Sequence, residues 1–132
     1  MRALLAMTFG LISAAILVTG ALADVPAKRY TAEDFAAAQA ANQPILVDVT
    51  APWCPTCRAQ SRVMDSLFKG DRFKDLVILK VDYDTQRDIV REFRAPRQST
   101  LIVFRGAKET GRAVAITGRR EIESLLSTAY AQ

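Results

Sequence analysis

The chain carries two cysteines, Cys54 and Cys57, separated by Pro55 and Thr56. They follow the apolar run Ile45-Leu46-Val47-Asp48-Val49 and lie within Trp53-Cys54-Pro55-Thr56-Cys57. A Cys-x-x-Cys pair at a strand-to-helix junction is the layout of a dithiol–disulfide redox centre. The spacing puts both sulfurs in the first turn of one helix, close enough to bond. The first thiolate then faces the positive end of the helix dipole. As a purely structural staple the pair is a poor choice, because so small a loop constrains the unfolded chain little.

The chain has no histidine. That excludes a Cys-His or Ser-His catalytic pair, a C-x-x-C-H haem attachment and any Cys-His zinc site, and two thiols are too few for a four-cysteine zinc site. No metal is expected, and no cofactor beyond the Cys54–Cys57 disulfide. Asp48 is the one charge inside the apolar run. A carboxylate in a central strand is desolvated, so its pKa is expected to rise.

The elements that must position these groups follow from periodicity and punctuation. The Pro-containing lead-in after Asp24 reads as an edge strand. Thr31 caps a helix running to Ala41, and Asn42-Gln43-Pro44 breaks it. Ile45 to Thr50 is a buried strand. Cys54 opens a helix ending near Lys69-Gly70, with Pro55 in its first turn and Val63, Met64, Leu67 and Phe68 inward. Leu76 to Tyr83 is the next strand. Asp84 or Thr85 caps a short helix reaching Phe93, with Ile89, Val90 and Phe93 inward. After the loop Ala95 to Ser99, Thr100 to Phe104 and Arg112 to Ile116 form a hairpin. Glu121 to Tyr130 closes the chain as an amphipathic helix with Ile122, Leu125 and Leu126 inward. Strands joined through a helix should be parallel, with a right-handed crossover, and the hairpin antiparallel. The expected fold class is α/β: a mixed central sheet with helices on both faces.

With 132 residues, half of them apolar, the chain has the size of one domain with a real core. The net charge of +4 comes from scattered Lys and Arg among acids, so no nucleic-acid partner is expected. Nothing in the sequence points to an oligomer. Arg2 followed by the uncharged, mostly apolar stretch Ala3 to Ala23, ending Ala21-Leu22-Ala23, has the pattern of a secretory signal. The expected division is residues 1–23 as signal peptide, or as a membrane anchor if uncut, and residues 24–132 as the folded domain. The expected location is periplasmic.

The order of elements resembles the thioredoxin fold over the whole of residues 24–132. The residues that carry the likeness are Val47-Asp48-Val49-Thr50-Ala51-Pro52-Trp53-Cys54-Pro55-Thr56-Cys57, Lys80-Val81-Asp82-Tyr83-Asp84, Ser99-Thr100-Leu101-Ile102-Val103-Phe104 with Gly106, and Gly118. Within that superfamily the chain is similar to the exported reductase branch, including the C-terminal domain of the periplasmic thiol–disulfide interchange reductase. The resemblance implies a disulfide reductase acting on protein or peptide disulfides, with a membrane thiol reductase as electron donor. It implies Cys54 as the exposed nucleophile, Cys57 as the resolving thiol and Asp48 as the proton relay behind them. Lys80 matches the lysine that approaches that acid and would pull its pKa back down. Trp53 would form an apolar platform beside Cys54, Pro55 would stiffen the loop, and Pro55-Thr56 would tune the potential. Gln98, Ser99 and Thr100 match the substrate-docking loop.

One position departs from the family pattern. Ser99 stands where thioredoxins carry a cis-proline, and a cis bond before a non-proline residue costs about 2.5–4 kcal/mol, so Gln98–Ser99 should be trans. Arg58, Arg94 and Arg97 are candidates for a cationic rim. Two alternatives accompany the reductase: a disulfide oxidase or isomerase of the same fold, and a thioredoxin-fold binding or metal-handling module with little turnover.

Overall fold

A computed structural model describes residues 25–131, so the expected signal segment 1–23 lies outside the described residues. The elements are β1 (Ala27–Arg29), α1 (Ala32–Ala40), β2 (Pro44–Thr50), α2 (Pro55–Phe68), β3 (Val77–Asp82), α3 (Arg87–Glu92), β4 (Thr100–Arg105), β5 (Lys108–Val114) and α4 (Arg119–Ser127). Short 3-10 turns follow α2, at Asp71–Phe73, and α4, at Thr128–Tyr130.

The five strands form one sheet in the order β1-β3-β2-β4-β5. Strand β3 runs parallel to both β1 and β2, and β4 runs antiparallel to β2 and β5. This is the expected mixed sheet, with the lead-in as its edge strand. Strand β2 lies at the centre and is buried from Pro44 to Val49, which is why its residues read as a near-continuous apolar run.

Successive side chains of a strand point to opposite faces, and the core divides accordingly. Ile45, Val47 and Val49 pack with Leu79, Val81, Ile102, Phe104, Val90 and Phe93 on the face covered by α1 and α3. Leu46 packs with Leu101, Val103, Met64, Leu67 and Ile122 on the face covered by α2 and α4. Asp48 lies two residues beyond Leu46, so alternation turns its carboxyl to the α2 side. Each buried Leu or Ile contributes roughly 1.5–3 kcal/mol relative to exposure.

Thr31 caps α1 as expected, its hydroxyl accepting from the Asp34 amide at 3.0 Å. Four local expectations are corrected. Helix α3 is entered through Gln86, not capped by Asp84 or Thr85. The Asp82 carboxylate instead accepts from the Asp84 and Thr85 amides, both at 2.9 Å, closing a turn before the helix. Strand β5 starts at Lys108, since only Gly106 and Ala107 are needed to reverse the chain, and Gly106 adopts φ +55 there. Helix α4 starts at Arg119, directly after Gly118. On α2, Val63 is only partly buried, and Gln60 is fully buried.

Candidate active site

Cys54 is the N-cap of α2, in extended backbone, and Pro55 occupies the first turn, where no amide donor is required. Cys54 and Cys57 are joined as a disulfide with Cα atoms 5.3 Å apart. The Cys54 Sγ accepts from the Cys57 amide at 3.1 Å. A thiolate at that position would face the unpaired amides and the positive end of a fourteen-residue helix, which lowers a thiol pKa.

The expectation that Cys54 is exposed is corrected. In this oxidised form it is 1% exposed and Cys57 3%. The chain turns before the helix, the Cys54 amide donating to the Ala51 carbonyl at 3.2 Å. That packs the disulfide with Ala51 and the half-buried Tyr83. Trp53 stays at the surface, 55% exposed, and its indole N–H donates to the Asp84 carboxylate at 2.7 Å. An exposed ring anchored by one polar bond next to Cys54 in sequence is not a core residue, the alternative to the expected platform. Pro55 is exposed and Thr56 half-buried.

Asp48 is buried beneath α2, 2% exposed. Burial raises its carboxyl to about pH 6, and the charge of Lys80 opposes that rise. Lys80 is the in-register partner of Asp48 on the neighbouring parallel strand. Both border a small cavity of about 40 Å³ that also touches Ser61, Met64, Asp65 and Phe68 of α2. Cys57, Arg58, Ser61 and Arg62 line a separate, open groove of about 430 Å³ together with Thr50, Ala51, Pro52 and Asp82.

The loop Gln98-Ser99-Thr100 is held tightly. Ser99 and Thr100 are fully buried and Gln98 half-buried. All peptide bonds among the described residues are trans, and Ser99 adopts φ +59, a left-handed conformation uncommon outside glycine. The Ser99 carbonyl accepts from the Ala115 amide at 2.9 Å and from the Gln60 side chain at 3.2 Å. The Thr100 hydroxyl donates to the Arg97 carbonyl at 2.7 Å.

Gln60 was not a sequence candidate. Its amide nitrogen donates to the Ser99 carbonyl and, at 3.0 Å, to the Ile116 carbonyl, tying α2 to the Gln98-Ser99-Thr100 loop and to the approach to α4. Its carbonyl oxygen is buried without a partner. The available signal was a polar residue three positions after Cys57, on the inward stripe of α2.

The cationic rim is not assembled as expected. Arg58 joins Arg62 at the groove, with one guanidinium N–H donating to the Pro52 carbonyl at 3.1 Å. Arg94 lies beside Phe35, Phe93 and Phe104, which belong to the other face of the sheet. Among the described residues no group of three or more His, Cys, Asp or Glu side chains is placed to hold a metal ion.

The sequence model of the family described as thioredoxin matches residues 26–130. A bifunctional thioredoxin reductase/thioredoxin of Mycobacterium leprae is 33% identical over 85 residues, covering 64% of this chain, which in turn spans 18% of that protein. A thioredoxin of Mycobacterium tuberculosis is 33% identical over 86 residues, covering 65% of this chain and 73% of its own length. The crystal structure of Trxlp from Edwardsiella tarda is 39% identical, superposes with a TM-score of 0.72, and covers 74% of this chain and 95% of that one.

Proposed function

The chain belongs to the thioredoxin family, and on that premise we propose that it is a thiol–disulfide oxidoreductase that reduces protein disulfides through Cys54 and Cys57. The observation that carries this reading is the Cys54–Cys57 disulfide at the start of α2, with the buried Asp48 beneath the same helix.

The cycle starts from the dithiol. The Cys54 thiolate attacks one sulfur of a substrate disulfide, and the other sulfur leaves as a thiolate. Cys57 then loses its proton toward Asp48, and its thiolate attacks Cys54 Sγ. The Cys54–Cys57 bond forms, the mixed disulfide breaks, and the second substrate thiolate leaves. Two electrons pass from the dithiol to the substrate, and an external thiol reductant must return them. An acid whose carboxyl titrates near pH 6 is suited to exchanging that proton close to neutrality.

The finer reading is an exported reductase charged by a membrane thiol reductase on the periplasmic side. Its support is the uncharged stretch Ala3 to Ala23 ending Ala21-Leu22-Ala23. A second reading, a binding module with little turnover, draws on the burial of Cys54 in the oxidised form.

Reduction of insulin by the protein, with dithiothreitol as donor, separates the two. Turnover that disappears in Cys54→Ser supports the enzyme, and an absence of turnover in the parent overturns it in favour of the second reading. A Cys57→Ser protein should retain its substrate as a mixed disulfide on Cys54, which mass spectrometry would identify.

A further inference from the structure

We propose that Ser61 is a positioning residue of the exchange reaction, its hydroxyl completing the proton path between the Cys57 sulfur and the Asp48 carboxyl. The inference rests on the function proposed above and assigns a role to a side chain outside the Cys-x-x-Cys element.

Helix α2 places Cys57, Ser61 and Asp65 at successive i, i+4 positions, one above another on a single face. Two separate spaces adjoin that ladder. The groove of about 430 Å³ touches Cys57 and Ser61 but not Asp48. The cavity of about 40 Å³ touches Asp48, Ser61, Asp65 and Lys80 but not Cys57. Among the described residues Ser61 alone borders both. It therefore stands in the wall between the thiol that must lose a proton and the carboxylate that must receive it.

A hydroxyl suits this position because it accepts and donates at once. When Cys57 is deprotonated, the Ser61 oxygen takes the proton on the groove side and releases its own into the cavity. A water molecule there delivers it to Asp48; a polar cavity needs roughly 10–15 Å³ to hold one. Ser61 is unchanged at the end, Cys57 has become the attacking thiolate and Asp48 is protonated. The charged groups that face this path are Lys80 from β3 and Asp65 from α2 on the cavity side, and Arg58, Arg62 and Asp82 around the groove. The neighbours of Asp48 from the lead-in and from β4, namely Val25, Ala27 and Leu101, are apolar.

The test compares the parent protein with Ser61→Ala and Ser61→Thr in insulin reduction across roughly pH 5 to 9. The Ala variant keeps helix propensity, and the Thr variant restores a hydroxyl. Ser61→Ala should slow turnover on the order of tenfold on the acidic limb, less than loss of a direct general base would. It should also shift the midpoint of the pH–rate profile, while Ser61→Thr follows the parent. On the alkaline limb, where hydroxide can take the Cys57 proton, all three should converge. A Ser61→Ala profile that overlays the parent at every pH overturns the inference. So does a uniform slowing of both variants that leaves the midpoint in place, since that is the mark of a packing role. A parent protein that reduces no insulin removes the proposed function first, and the inference with it.

Discussion

Asp48 and Lys80 are direct register partners on the parallel strands β2 and β3, and both border the same small cavity beneath α2. Burial pushes the carboxyl up and the ammonium opposes it, leaving an acid that titrates at about pH 6. In the proposed cycle that pair sets the pH range in which the dithiol exchanges its proton.

The raised Asp48 carboxyl has a cost in stability. An unfolded aspartic acid titrates near 3.8 and this one near 6. Between those values the folded protein holds a proton that the unfolded chain has released, so stability falls as pH rises through that window. The total loss is about 3 kcal/mol and is complete at neutral pH. Asp48→Asn should therefore be more stable than the parent at pH 7 by up to about 3 kcal/mol, with the gap closing below about pH 4. Urea unfolding at both pH values measures it; equal gaps at the two would contradict the assignment.

Removing the ammonium should move the acid further. In Lys80→Met the Asp48 carboxyl loses the one charge that lowers it, so it should titrate above the parent's value. The acidic limb of insulin reduction should shift to higher pH in step. Carbon-detected NMR titration of the Asp48 carboxyl follows the group directly, and an unshifted or downward titration would refute the coupling.

Gln60→Ala should loosen the Gln98-Ser99-Thr100 loop, the proposed docking segment. The variant deletes two hydrogen bonds, to Ser99 and Ile116, while Ser99 keeps its bond from Ala115. The unpartnered Gln60 oxygen leaves with the side chain and offsets part of the loss. A net cost of about 1–2 kcal/mol is expected. Amide exchange at Ser99 and Thr100 should accelerate, and the KM for insulin should rise more than kcat falls. Unchanged exchange at those two amides would show that Gln60 does not hold the loop.

Asp84→Ala should release the Trp53 ring without unfolding anything. An exposed hydrogen bond of this kind contributes about 1 kcal/mol or less, but it fixes the orientation of the ring next to Cys54. Trp53 is the sole tryptophan, so its fluorescence anisotropy should fall in the variant. Reduction of insulin should slow a few-fold, an effect on the order of 1 kcal/mol, whereas reduction of a small aromatic disulfide should not. Equal effects on both substrates would show that the ring does not contact protein substrates.

Most of the site's local chemistry was legible in the sequence. Cys54 and Cys57 are three residues apart on one helix turn, so their meeting depends on nothing distant. Asp48 in the alternation of β2 announces both its burial and the face it occupies, because the period of a strand is fixed by backbone geometry. Other features carried no local signal. Gln60 looked like any polar helix residue until its partners, 39 and 56 residues away, were in place. The rim expected from Arg58, Arg94 and Arg97 dissolved because Arg94 belongs to the opposite face of the sheet.

The residues alone determined the reaction class and the architecture: a dithiol at a helix start, an acid in the strand before it, and an α/β order of elements. Tertiary structure decided that the oxidised Cys54 is covered, that Lys80 is the register partner of Asp48, and that Ser61 borders both spaces. Each of these depends on how separate segments pack and on the register between strands more than thirty positions apart. Helix and strand periodicity act over a few residues and leave such long-range choices open; the packing of the whole core makes them.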